Sequence, residues 1–115
     1  MGKYEVCDLD DIQDGDSAKF VPEVPESTLA VLIVRKNDKL FGYINSCPHI
    51  GAPLDIRPGK FLSSDKKHIL CSNHGALFEI NTGYCVFGPC QGKYLEPVET
   101  MIEGKSVIIK FQGIA

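Results

Sequence analysis

The sequence predicts an all-β protein. Short segments rich in Val, Ile, Leu, Phe and Tyr recur along its 115 residues, and each is bounded by Gly, Pro, Asn or Asp, which favour turns. No long segment shows the 3.6-residue period of an amphipathic helix. The predicted strands lie at residues 4–7, 18–21, 29–35, 40–44, 67–71, 76–80, 84–87, 95–98, 100–103 and 106–111.

The first half of the chain predicts two strands and then a hairpin. Residues 29–34 form the longest apolar run, and its length is that of a buried strand. Asn37 and Asp38 follow it, and both residue types tolerate positive φ and bond to their own backbone. We therefore expect 29–35 and 40–44 to pair through a turn at 36–39. Residues 22–27 are predicted to be a loop.

Loops and strands alternate in the centre of the chain. Residues 45–54 are dense in Pro and Gly and cannot continue a sheet ladder, so they predict a shaped loop. A second loop, 72–75, separates strands 67–71 and 76–80. The turn at 81–83 leads to strand 84–87, after which Gly88-Pro89 interrupts the chain again.

The remaining segments predict closing strands, with Glu103-Gly104-Lys105 as the turn of the last hairpin. A length of 115 residues favours one domain over residues 1–115 and leaves little room for a second. The loop-rich part, at about 45–92, is the predicted functional part of that domain.

Composition excludes several classes of partner. The net charge is −3, with 43% hydrophobic and 23% charged residues, which is ordinary for a globular protein. No broad basic surface exists to neutralise phosphates, so we expect no nucleic-acid or membrane partner. No apolar run approaches the roughly 20 residues that span a bilayer. The acidic N-terminus lacks the pattern of a secretory signal, which predicts a cytoplasmic location.

Two pairs of residues have the spacing of metal ligands. Cys47-x-His49 and Cys71-x-x-His74 each place a thiolate and an imidazole on one loop, and together they use four of the chain's eight Cys and His residues. Such a Cys2His2 set suits a structural zinc and equally an iron–sulfur cluster in which two histidines replace two cysteines on one iron. Ligand type alone leaves both open.

The residues around these pairs form two Pro- and Gly-rich boxes and a later turn. They are Cys47-Pro48-His49-Ile50-Gly51-Ala52-Pro53-Leu54, Cys71-Ser72-Asn73-His74-Gly75-Ala76-Leu77-Phe78-Glu79, and Gly88-Pro89. This pattern resembles the Rieske 2Fe–2S proteins over residues 45–97. It is most similar to the soluble Rieske ferredoxins, which include electron carriers of ring-hydroxylating dioxygenases and the small subunit of assimilatory nitrite reductase.

The resemblance implies a Rieske-type antiparallel β-sandwich with a small cluster-binding subdomain formed by two loops. It implies one 2Fe–2S cluster per chain, with Cys47 and Cys71 on the buried iron and His49 and His74 on the outer iron. The spacer between His49 and Cys71 is longer than the family's commonest. We expect the extra length near residues 55–66 as a surface excursion.

The resemblance also implies a one-electron carrier without catalytic activity of its own, which takes electrons from a flavin reductase and passes them to an oxygenase or another terminal redox enzyme. Electrons would pass through His49 and His74, inside an apolar collar. The predicted collar residues are Pro48, Ile50, Pro53, Leu54 and Pro89. Two alternatives stay open, a small subunit of a larger reductase such as nitrite reductase and a Cys2His2 zinc-binding interaction module. The oligomeric state is not predicted.

The resemblance also bears on the reduction potential. High-potential Rieske proteins carry an extra cysteine at the position of Ala52, and hydroxyl groups at the positions of Ala76 and Phe78 that bond to cluster sulfurs. Hydrogen bonds to the sulfurs raise the potential. Their absence predicts the low end of the Rieske range, at about −150 mV.

We expect the other cysteines and the third histidine to have ordinary structural roles. We expect Cys85 and Cys90 to be thiols packed beside the loops, with a disulfide or a redox dithiol as alternatives, and Cys7 to be a core residue of an edge-like strand. His68 follows two lysines and predicts a solvated surface position. As the one spare histidine, it is too few for the mononuclear iron of a Rieske oxygenase, which typically uses two.

Overall fold

The computed structural model describes residues 3–20, 30–46, 48, 54, 61–71 and 75–110. In these ranges the chain forms strands and one short 3₁₀ helix, Leu9–Asp11. The strands are β1 Lys3–Asp8, β2 Asp16–Phe20, β3 Val31–Lys36, β4 Lys39–Ile44, β5 His68–Cys71, β6 Ala76–Glu79, β7 Cys85–Phe87, β8 Pro97–Glu103 and β9 Ser106–Lys110. The predicted all-β class is confirmed.

The strands form two antiparallel sheets. The larger has six strands in the order β1-β9-β8-β4-β3-β2, and the smaller has three in the order β5-β6-β7. The predicted antiparallel architecture is therefore confirmed. The structure leaves the assignment of residues 1–115 to a single domain as a prediction.

Strand β3 is buried on both faces, which explains its continuous apolar run. Side chains alternate across a strand, so Val31 and Ile33 face one way and Leu32 and Val34 the other. The first two join a group that we call the sheet core, with Ile44, Val107 and Ile109 among its members. The other two join the site-side core, which contains Leu54, Phe61, Cys71, Ala76, Phe78, Cys85, Cys90 and Leu95.

Both predicted hairpins of the larger sheet are confirmed. Strands β3 and β4 pair from Val31↔Ile44 to Lys36↔Lys39. The two residues between them, Asn37 and Asp38, have φ of 54° and 61°, as a type I′ turn requires. At the other hairpin Glu103 pairs with Ser106, and Gly104 has a φ of 64°.

The structure differs from the prediction at the last strands. The predicted strands 95–98 and 100–103 are one strand, β8, because Glu99 pairs with Lys110 and the ladder to β9 continues through it. Leu95 precedes this strand and donates its N–H to the Gly83 carbonyl over 2.9 Å. Tyr84, predicted at the start of a strand, forms an isolated bridge with Tyr94.

Tyr43 connects the larger sheet to the smaller one. Its hydroxyl donates to the Ile80 carbonyl over 2.6 Å, just after β6 ends. Its ring packs on Gly83, where a Cβ would lie 2.8 Å from Tyr43 Cε1. Burial, followed by the nearby Glu79 carboxylate, raises the pKa of Tyr43 to about 12. The phenol therefore stays protonated and able to donate at neutral pH.

The segment predicted as a surface excursion, 55–66, is only partly at the surface. Ser64 to Lys66 are exposed, as expected. Phe61, however, is fully buried in the site-side core, so this part of the prediction is wrong. A large aromatic side chain stabilises the fold most when it is removed from water, and the core has room for it beside Leu54 and Ile69. Residues 55–60, and the predicted loop 22–27, lie outside the described residues.

Among the residues that the structure describes, none belongs to a helix of the length and apolar character that crossing a membrane requires.

Candidate metal centre

One of the four predicted ligands, Cys71, lies within the described residues. It is the last residue of β5, is fully buried and pairs with Ala76 across the β5–β6 hairpin. The second loop is therefore the hairpin connection, and the Gly75 N–H closes it by donating to the Cys71 carbonyl over 2.8 Å. Cys47, His49 and His74 lie outside the described residues, so a common site for all four stays a prediction.

Asn45 ties together the two ends of the first loop, which contains Cys47 and His49. Its side-chain Oδ1 accepts the Leu54 N–H over 2.8 Å, and its own N–H donates to the Ala30 carbonyl over 2.9 Å. Asn45 is 5% exposed, the one polar side chain that is buried among the described residues. Sequence reasoning missed it. The available signal was an Asn placed directly between a buried strand and a Pro- and Gly-rich loop.

The Gly88-Pro89 turn packs against the residue that follows the second loop. Gly88 has a φ of +106°, and a Cβ there would lie 2.7 Å from the Ala76 Cα. No side chain fits in that space, so the backbone of the turn rests directly on the start of β6. The predicted chain break is thus a close contact that holds the turn beside Cys71 and Ala76.

Among the residues that the structure describes, the side chains on the Cys71 face of β5 and β6 carry no hydroxyl groups. Ala76 and Phe78 alternate onto the same face of β6, and both are fully buried. These are the positions at which the resemblance implies hydroxyl donors in high-potential proteins. Their burial in an apolar core agrees with the prediction of a low potential, which stays a prediction.

The predicted collar requires one correction. Leu54 is fully buried in the site-side core, so it is not a surface residue. Its N–H donates to Asn45 Oδ1, and its side chain belongs to the same buried group as Phe61 and Ile69. Pro48 is half-buried and Pro89 is exposed, as a collar needs, whereas Ile50 and Pro53 lie outside the described residues. Phe87, which the prediction missed, is 63% exposed beside Gly88.

Cys85 and Cys90 are both fully buried in the site-side core. Their Sγ atoms are 3.3 Å apart, and no disulfide joins them. Cys85 also donates from Sγ to the Phe87 carbonyl over 3.2 Å. The prediction of packed thiols is correct, and the two thiols are in direct contact.

Cys7 is half-buried rather than fully buried. It lies on β1, an edge strand of the larger sheet, and packs against the sheet core. Burial, followed by the carboxylates of Asp11 and Asp8, raises its pKa to about 11. This thiol is therefore protonated and unreactive at neutral pH.

His68, for which the sequence predicts a solvated surface position, is half-buried. It is the first residue of β5, at the opposite end of that strand from Cys71. It borders a cavity of about 360 Å³ beside Phe41 and Ile80, and three lysines line the same cavity, Lys36, Lys39 and Lys67. In the described ranges, no group of three potential metal-binding side chains includes it.

Comparison with known proteins shows a family match and several structural relatives. The family model for the Rieske [2Fe-2S] domain matches residues 2–108. Among curated proteins, no significant match is found.

Two ferredoxins match over nearly their whole lengths. The ferredoxin of carbazole 1,9a-dioxygenase from Nocardioides aromaticivorans IC177 shares 22% identity with a TM-score of 0.75, covering 95% of this chain and 97% of that one. The ferredoxin of Sphingomonas yanoikuyae B1 shares 25% identity with a TM-score of 0.76, covering 96% and 100%.

A terminal oxygenase shares the same fold over only part of its chain. The terminal oxygenase of carbazole 1,9a-dioxygenase from Novosphingobium sp. KA1 has 18% identity and a TM-score of 0.75, covering 93% of this chain but 29% of its own. The match thus spans almost the whole of each ferredoxin and less than a third of the oxygenase. With its family match over residues 2–108, the chain belongs to the Rieske [2Fe-2S] family, whose cofactor is a Rieske-type 2Fe–2S cluster.

Proposed function

We propose that the chain is a Rieske ferredoxin, a one-electron carrier between a reductase and a terminal oxygenase. The observation that carries the proposal is the match to ferredoxins over almost the full length of both chains. One relative, 24% identical, is described in a complex of reduced oxygenase and oxidised ferredoxin of carbazole 1,9a-dioxygenase. An acceptor of that class, a flavin reductase as donor and a cytoplasmic location are the finer parts of this proposal.

The proposed ligands are Cys47 and Cys71 on one iron and His49 and His74 on the other. The described part of the site fits such a group, because Cys71 is buried at the end of a strand and the first loop is closed by Asn45. A mixed thiolate and imidazole donor set is the one that Rieske clusters use. Held by these residues, the cluster supplies reversible one-electron chemistry.

The surrounding side chains keep water away from the thiolate side of the site. Leu54, Phe61, Phe78 and Leu95 are all fully buried in the same core as Cys71. An apolar, water-free environment without added hydroxyl donors disfavours an extra negative charge, which lowers the reduction potential. These residues therefore suit a donor of electrons at low potential.

The exposed residues of the same region suit a brief encounter with a partner. Phe87 and Pro89 flank Gly88 at the surface, and Gly88 contacts Ala76 next to the second loop. A small apolar patch of this kind supports the weak, transient interfaces that electron-transfer proteins form. We propose that it borders the docking surface of the redox partner.

Spectroscopy of anaerobically purified protein tests the cofactor and the ligands together. We expect about two irons per chain, no zinc, and an EPR spectrum of mixed Cys and His ligation in the reduced state. Cys71→Ser should lose the cluster, whereas the matched change Cys7→Ser should keep it. A colourless protein with one zinc would overturn the proposal in favour of a zinc-binding module.

A second experiment tests the carrier role. The reduced protein is mixed in a stopped-flow instrument with an oxidised Rieske terminal oxygenase, and oxidation of the ferredoxin is followed by absorbance. We expect transfer within the time of a catalytic turnover, and Phe87→Lys should slow it at least tenfold without changing the spectrum. Co-purification with a large reductase subunit at fixed stoichiometry, together with no transfer to the oxygenase, would instead indicate a reductase subunit.

A further inference from the structure

We propose that Cys85 and Cys90 are a reversible oxidation site, at which hydrogen peroxide closes a disulfide around the Gly88-Pro89 turn. The inference goes beyond the proposed carrier function and does not require it.

The two thiols are already in contact. Their Sγ atoms are 3.3 Å apart, and a disulfide needs about 2.05 Å, so the sulfurs must approach by little more than 1 Å. Cys85 is fixed at the start of β7, where its N–H donates to the Lys93 carbonyl over 2.8 Å. Cys90 lies in a turn, which adjusts at lower cost than a strand interior.

The turn gives a small oxidant a route to the buried sulfurs. Both thiols are fully buried, yet most of their neighbours along the chain are exposed, among them Phe87, Pro89 and Gln91. Single backbone hydrogen bonds hold this surface, such as Gln91 N–H to the Gly88 carbonyl over 3.1 Å. Local opening of such a turn costs far less than unfolding the domain, and hydrogen peroxide is small enough to use it.

The chemistry balances with hydrogen peroxide as the oxidant. One thiolate attacks a peroxide oxygen, the O–O bond breaks, and the sulfur becomes a sulfenic acid as one water leaves. The second thiolate then attacks that sulfur, the S–S bond forms, and a second water leaves. In total the thiols lose two electrons and two protons, and the peroxide gains them. A dithiol reductant reverses the step by exchange.

The disulfide would act on the contact between the turn and β6. The ring closed by residues 85–90 contains Gly88, whose backbone rests on Ala76. Ala76 is paired with Cys71. Closing the ring restricts the turn in the position that makes this contact, so oxidation should make the region around Cys71 and Ala76 more rigid.

Peptide mapping of the intact, purified protein tests the proposal. The protein is treated with hydrogen peroxide, alkylated, and digested with trypsin and a Glu-specific protease, which places Cys85 and Cys90 together on peptide 80–93 without Cys71. We expect this peptide to lose two hydrogens and to take up no alkyl group. After reduction with dithiothreitol and renewed alkylation, it should carry two alkyl groups. The Cys7 peptide should stay alkylated throughout. Alkylation of both Cys85 and Cys90 after peroxide would overturn the proposal.

Variants and a second oxidant separate this chemistry from general damage. Cys85→Ser and Cys90→Ser should each abolish the mass change, and Cys7→Ser should leave it intact. Diamide, whose N=N bond takes up the two hydrogens, should give the same closed peptide without peroxide. A disulfide that joins two chains, or one that includes Cys7, would contradict the proposal. These readouts need no cofactor or redox partner, so they stand or fall independently of the carrier function.

Hydrogen exchange tests the mechanical consequence. Amides of the turn that bond within it, those of Gln91 and Lys93, should exchange at least threefold more slowly in the oxidised protein. The amides of the β8–β9 hairpin provide the internal control and should not change. Faster exchange in the oxidised turn would show that ring closure disrupts the contact with Ala76.

Discussion

The two sheets of this protein are held together in different ways. The larger sheet is stabilised by long ladders, such as the continuous β3–β4 pairing, and by a strand that is buried on both faces. The smaller sheet has strands of three or four residues, and specific contacts support it and the loop beside it, those of Tyr43 with Ile80, Gly88 with Ala76 and Asn45 with Leu54. A long ladder shares its stability among many hydrogen bonds, whereas short strands depend more on each contact of this kind. The smaller sheet, which carries Cys71, should therefore be the sensitive one.

The largest expected effect comes from Gly88→Ala. The new Cβ would collide with the Ala76 backbone, and alanine is strained at a φ of +106°. We expect a loss of ~3 kcal/mol in the free energy of unfolding, measured with denaturant, and a lower iron content per chain.

Gly92→Ala is the matched control for this change. Gly92 has a similar φ of +93°, but a Cβ there would meet nothing within 4 Å. It should lose only the conformational strain, ~1 kcal/mol. Equal losses at the two glycines would show that the contact with Ala76 does not matter.

Asn45→Ala should have the next largest effect. It leaves the buried N–H of Leu54 without its acceptor and releases the end of the first loop. We expect a loss of ~2 kcal/mol and faster release of iron to a chelator. The exposed Asn81→Ala should change stability by less than ~0.5 kcal/mol. Unchanged iron release in Asn45→Ala would mean that this residue does not hold the loop.

Alkaline pH tests two groups of the larger sheet that have raised pKa values, Tyr43, which bonds across to Ile80, and Cys7 on the edge strand β1. Tyr43 has a folded pKa of about 12 against an ordinary value of 10.0, and Cys7 has about 11 against 9.0. A raised pKa means that the folded state holds the proton more tightly, so stability is complete below the ordinary value and declines as the pH rises through the folded one. We expect stability to fall between about pH 9 and pH 12.

Tyr43→Phe should remove the decline above pH 10, and Cys7→Ser the decline that begins near pH 9. At neutral pH, Tyr43→Phe should also lose ~1 kcal/mol, because the Ile80 carbonyl loses its donor. Denaturant titrations from pH 7 to pH 12 measure both. If stability declines with pH in both variants as it does in the unsubstituted protein, groups other than Tyr43 and Cys7 cause the decline.

The smallest expected effect is a change in reduction potential caused by a substitution next to Cys71. Ala76→Ser adds a hydroxyl beside Cys71, on a face where the described side chains of β5 and β6 carry none. A hydrogen bond that favours the reduced state by ~1 kcal/mol raises a one-electron potential by ~40 mV. Protein-film voltammetry should show this rise in Ala76→Ser and none in Ala76→Gly, which adds no donor. A starting potential clearly above zero would contradict the predicted low potential.

The residues that could be predicted are those whose role depends on neighbours in the chain. The run at residues 29–34 identifies a buried strand, and Asn37-Asp38 identifies the turn after it, because periodicity and positive φ are local properties. The pairing of Cys47 with His49, and of Cys71 with His74, is equally local. This is why the family resemblance was visible, although the position of three of these ligands stays a prediction.

The residues that escaped prediction make contacts across long stretches of chain. Phe61 occurs in a segment that resembles a surface loop, and only the assembled core shows that it is buried. The bond of Tyr43 to Ile80 and the contact of Gly88 with Ala76 both join segments that pattern alone does not bring together.

The all-β class, the positions of most strands, the hairpin turns and the family could be read from the sequence, since these follow from local periodicity, turn chemistry and a short motif. By contrast, long-range packing places Leu54 in the core, brings Asn45 to the Leu54 N–H and puts the Cys85 and Cys90 thiols in contact. Such distances depend on how two sheets pack, and packing is a property of the whole chain.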